Sequence, residues 1–178
     1  MEPKTSPHRT LVAGLGLLLS LPLACAPEVI QLRPERGALR PTGPLEPLEM
    51  IVSVAGGSDP LPVQGRRIAY GGLTGAVGRF MQSDSLPWAE RHRTLRPGGW
   101  QMLVEITRSD AEVQAGRLTV ELEARVTLRG TEGQIHLGQT HGYCKVAGAL
   151  VGDGAPVVYQ CLERMARDLT GWLEGQNP

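Results

Sequence analysis

The sequence predicts an α+β two-layer sandwich: strict apolar/polar alternation between Trp100 and Val146, two stretches with helical spacing of apolar residues, and turn residues between them. The expected sheet is antiparallel, of about four strands, with two helices on one face and the order β-α-β-β-β-α.

Leu48 to Val54 is rich in β-branched residues and runs into Gly56-Gly57-Ser58-Asp59-Pro60, a strand followed by a turn. From Arg66 to Met81, Ala69, Leu73, Ala76, Val77 and Phe80 recur at helical spacing, interrupted by Gly71, Gly72, Gly75 and Gly78. Each helical glycine costs about 0.8 to 1 kcal/mol relative to alanine, so this helix must rely on tertiary packing. Ser83 to Gly99 reads as a loop punctuated by Pro87, Pro97, Gly98 and Gly99, in which Arg91, His92, Arg93 and Arg96 cluster beside Trp88. Such a loop offers a contact surface (Trp88, Arg91, Arg93, Arg96) for anionic headgroups or a protein partner; the alternative is a solvated loop whose tryptophan covers the core.

Trp100, Met102, Val104 and Ile106 alternate with polar neighbours, and so do Leu118, Val120, Leu122, Ala124, Val126 and Leu128. One sheet face is therefore dry and the other wet. Gly116 and the Gly130 to Gly133 stretch supply hairpin turns, and a third strand from Gln134 to Val146 completes an antiparallel meander. The chain closes with a helix for which Asp153 is a candidate N-cap and Pro156 sits near the first turn, and whose stripe of Val158, Cys161, Leu162, Met165, Leu169, Trp172 and Leu173 must be buried against the dry face.

Composition bounds the function. The formal charge is zero, and residues 25–178 carry 16 basic and 17 acidic side chains, which favours neither nucleic acid nor a strongly acidic partner. The 23 glycines and 14 prolines imply many turns, and the single phenylalanine implies an aliphatic core.

At the N-terminus, Lys4, His8 and Arg9 precede the uncharged run Leu11 to Leu23, the order of regions in an export signal. Thirteen residues of helix reach only about 20 Å, short of the roughly 30 Å hydrocarbon core, so a permanent span is disfavoured. The run ends in Leu21-Pro22-Leu23-Ala24-Cys25, which resembles the lipobox of bacterial lipoproteins, although Pro22 stands where that motif usually has an aliphatic residue. The resemblance implies a thioether-linked diacylglycerol on Cys25, cleavage before it, acylation by palmitate-type chains, and anchoring to membrane lipid. Cleavage after Ala26 is the competing reading, with Pro27 an obstacle to the peptidase. Residues 1–24 are thus expected to be a signal peptide and 25–47 a lipidated, Pro-rich tether, leaving 48–178 as one domain of about 130 residues. Alternatively, Val29, Ile30 and Leu32 add an irregular edge to that domain.

With Cys25 acylated, Cys144 and Cys161 remain as a candidate disulfide in an oxidising compartment. His136, His141 and Cys144 do not make a metal site, because His141 points to the opposite strand face from the other two. No Gly-x-Ser-x-Gly elbow, phosphate loop or HExxH motif occurs, so no catalytic, cofactor-binding or metal residues are assigned and no cofactor is expected. The order of elements after residue 48 resembles that of small envelope lipoproteins of the ABC-type transport auxiliary and lipopolysaccharide-assembly groups. That resemblance implies a non-catalytic accessory subunit with an envelope protein partner, in lipid transport or outer-membrane assembly, held at the outer membrane and facing the periplasm. The alternative is an anchored or secreted enzyme or ligand-binding module without a recognisable motif.

Overall fold

The computed structural model describes residues 26–33, 50–92, 99–130 and 136–176. Among these, three long strands dominate: β5 (Trp100–Gln114), β6 (Arg117–Gly130) and β7 (His136–Ala149), an antiparallel meander. The alternation in β6 is uninterrupted, and Leu118, Val120, Leu122, Ala124, Val126 and Leu128 are all buried on one face. In β5 a bulge between Ile106 and Arg108 shifts the register. The extra residue changes the phase, so even-numbered Trp100 to Ile106 face the core before it and odd-numbered Ala111 and Val113 after it.

Four shorter strands complete the sheet: β1 (Glu28–Gln31), β2 (Met50–Gly56), β3 (Leu61–Gln64) and β4 (Ile68–Gly71). The sheet has seven strands and is mixed. The path β1-β4-β3-β5-β6-β7 has β2 paired with the first half of β5, and the pairings β1 with β4, β2 with β5 and β3 with β5 are parallel. This corrects the expected antiparallel sheet of about four strands and the order β-α-β-β-β-α; the observed order is β-β-β-β-α-β-β-β-α.

Two boundaries differ for related reasons. The stretch expected to begin a helix at Arg66 is the β3–β4 turn and β4, so Gly71 and Gly72 precede α1 (Leu73–Arg91). Gly72 takes φ 77°, a left-handed conformation that favours glycine and turns the chain from strand into helix. At its other end α1 continues through Pro87, so residues 83–91 are helix and not the expected loop. An interior proline costs about 3 kcal/mol, and burial of Trp88 and Ala89, the two residues that follow it, offsets it. The expected tether is corrected in part as well: residues 28–31 are strand β1, held against β4, and Leu32 is buried. Residues 34–49 lie outside the described residues.

Both helices cover the dry sheet face. α2 (Ala155–Glu174) buries Val158, Cys161, Leu162, Met165, Leu169 and Leu173. Glycines on β7 let it approach: a Cβ at Gly142 would lie 3.1 Å from Met165 Cγ, and one at Gly148 would lie 2.8 Å from Val157 Cγ2. Helix α1 packs against α2 and β2.

Candidate functional site

The residues singled out from sequence do not converge. Trp88 is 1% exposed and packs on Trp100 and His92, so it covers the core and presents no indole to a partner. Arg91 ends α1 and pairs with Glu174 of α2. Arg93 and Arg96 lie outside the described residues, as does Cys25. The contact loop is therefore corrected at Trp88, because Ser83 to Arg91 is helix.

Cys144 of β7 and Cys161 of α2 are joined by a disulfide, with Cα atoms 5.5 Å apart. Both are buried, on the dry sheet face and on the helix stripe that packs against it. The bond ties the two layers at mid-strand. His141, by contrast, lies exposed on the wet face.

The wet face carries an ionic arrangement whose pairings the sequence did not reveal. Glu121 of β6, only 13% exposed at its side chain, accepts from Arg108 of β5 at 3.1 Å and Lys145 of β7 at 3.0 Å, and Tyr143 donates its hydroxyl to it at 3.4 Å. The Glu121 hydrogen bond, and next its charge, raise the Lys145 pKa above the usual lysine value. Arg108 is raised first by its hydrogen bond to Asp110 and then by Glu121. Arg125 pairs with Glu105 at 3.3 Å, and Arg129 donates to Gln101 at 3.0 Å. The signal was the cross-strand register, since opposite charges facing each other across an antiparallel pair stabilise that alignment. These exposed pairs organise the surface more than they stabilise the fold.

Two shallow grooves flank α2. One, against β7, is lined by Lys145, Gln160, Glu163, Arg164 and Arg167 among others; the second, against α1, includes Ser83, Asp84, Pro87 and Thr170. The Thr170 hydroxyl donates back to the Ala166 carbonyl at 3.0 Å. Among the described residues no group of three or more His, Cys, Asp or Glu side chains is placed to hold a metal, and no helix is long and apolar enough to cross a membrane.

The fold resembles that of a Xanthomonas campestris protein. That structure, protein XCC0632 of family DUF330, superposes with a TM-score of 0.50 at 9% identity, over 69% of this chain and 81% of the other. A minor lipoprotein from Acinetobacter baumannii follows at TM-score 0.42 and 8% identity, covering 68% and 92% of the two chains. A Caulobacter crescentus protein, assigned as a lipoprotein only provisionally, gives 0.41 and 12%, covering 72% and 93%. No protein-family model matches the chain, and no curated protein matches it. At these identities the likeness to XCC0632 is one of fold.

Proposed function

We propose that this chain is a bacterial envelope lipoprotein, acylated on Cys25, whose domain serves as a non-catalytic accessory subunit for a protein partner. The observation that carries this reading is the charged start, the apolar run Leu11 to Leu23 and the sequence Leu21-Pro22-Leu23-Ala24-Cys25 in succession. The buried Cys144–Cys161 disulfide supports it, because such bonds persist in exported proteins and are rare in the reducing cytosol. A role in lipid transport or outer-membrane assembly, at the outer membrane and facing the periplasm, extends the same proposal.

The test is intact mass and membrane fractionation of the full chain from a bacterial host, beside Cys25→Ala. The expected result is a chain beginning at Cys25 with added acyl mass in the membrane fraction, both lost in the variant. An unlipidated soluble chain, cleaved after Ala26 or uncleaved, overturns the reading.

A further inference from the structure

Only Ala26 and Pro27 separate Cys25 from Glu28, the first residue of β1. Three residue steps span at most about 10 Å, so whatever is attached to Cys25 sits close to one particular end of the sheet. The Glu28 N–H donates to the Arg67 carbonyl at 2.9 Å, which fixes that end beside the Gly65-Arg66-Arg67 turn between β3 and β4. Gly65 in turn lies against β5, where a Cβ would stand 2.7 Å from the Val113 carbonyl oxygen. The β5–β6 turn at Ala115-Gly116 follows directly, and Gly116 accepts from the Leu150 N–H at 3.0 Å. Val151 comes next and is 74% exposed, although apolar.

From this arrangement, and resting on the lipoprotein reading above, we infer that this end of the sheet lies on the phospholipid headgroup layer. Its contact surface is the Arg66–Arg67 turn, Arg117 at the start of β6, and Val151. The arginines are exposed and reach phosphate oxygens, while Val151 enters the apolar boundary. Glu28, Glu112 and Asp153 occupy the same end, so three carboxylates balance three guanidinium groups. The charges of the described residues at this end therefore balance, and the short connection to the anchor determines the orientation. The domain stands directly on the bilayer without a spacer, and residues at the far end of β6 and β7 project toward partners. Gln139 pairs with Thr127, ten residues along β6 from Arg117, which places it about 33 Å along the strand from that end.

The experiment uses the full acylated chain in phosphatidylethanolamine and phosphatidylglycerol vesicles, with an environment-sensitive fluorophore on Val151→Cys, Arg117→Cys or Gln139→Cys. All three positions are exposed, so the added thiol disturbs little packing. Headgroup spin-labelled lipid is expected to quench the label at 151 and 117 and to leave that at 139 bright. Equal quenching at all three sites, or quenching at 139 alone, overturns the orientation while the acyl mass on Cys25 leaves the lipoprotein reading standing. A chain without acyl mass sinks both, and the mass spectrum separates the two failures.

Discussion

The Trp88 and Trp100 rings meet edge to face with centroids 5.2 Å apart, joining the last turn of α1 to the first residue of β5. Both are 1% exposed, and the buried Trp88 Nε1 has no hydrogen-bond partner among the described residues. Trp88→Ala removes the contact and leaves a cavity, so unfolding stability should fall by about 3 to 5 kcal/mol. Trp88→Phe keeps a ring and discards the unpaired N–H, so its loss should be well under half of that. Urea denaturation of the two variants against the parent checks the order; equal losses would rule out this account.

The N-terminus of α1 is satisfied from a distance. Gly72 has no side chain to cap with, and Asp59, in the segment between β2 and β3, takes its place by accepting from the Thr74 N–H at 3.4 Å, the Thr74 hydroxyl at 3.1 Å and the Gly72 N–H at 2.8 Å. The carboxylate also faces the positive end of the helix dipole. Asp59→Ala should cost about 1 to 2 kcal/mol, and Asp59→Asn, which keeps an acceptor but no charge, distinctly less. Thermal unfolding of both variants measures the difference.

These two contacts mark where the sequence stops being legible. β6 and the α2 stripe were readable because each has one period and one buried face, from Leu118 to Leu128 and from Val158 to Leu173. β2 was readable as a strand, yet its parallel partner β5 lies beyond a helix, and no local pattern encodes a crossover. β3 and β4 have four residues each, with Pro62 and Gly71 inside them, too short and too broken for a period to emerge. Pro87 ends helices in most contexts, and only the burial of Trp88 and Ala89 shows why this one continues. For the candidate surface, Cys25 stood out as a motif, whereas its nearness to Arg66 and Arg67 depends on β1 joining β4.

The Cys144–Cys161 bond closes a loop with a sequence separation of 17 between the two layers of the sandwich. For a loop of that size the chain-entropy model gives about 3 kcal/mol. Cys144→Ala with Cys161→Ala, which buries no new hydroxyl, should lower the unfolding free energy by about that amount. Adding reductant to the parent should shift its denaturation midpoint toward that of the double variant. A parent insensitive to reductant even when unfolded would mean that the bond does not form.

Tyr70 is buried on β4 and donates its hydroxyl to the Asp153 carbonyl at 2.8 Å, linking the short strands to the entry of α2. Burial, and next the Asp153 charge, push its pKa from 10.0 up to about 12. The sign follows from which state ionises first. Between pH 10 and about 12 the unfolded phenol loses its proton while the folded one keeps it, so the folded pKa is the higher and its stabilising contribution is lost as pH rises through that window. Below pH 10 the contribution is complete; by pH 12 it should have fallen by on the order of 2 kcal/mol. Tyr70→Phe removes the titrating group and the hydrogen bond together, so its stability should start lower and decline less over the same interval. Denaturation midpoints of parent and variant from pH 9 to 12 test this, and parallel declines would show that another group sets the alkaline limit.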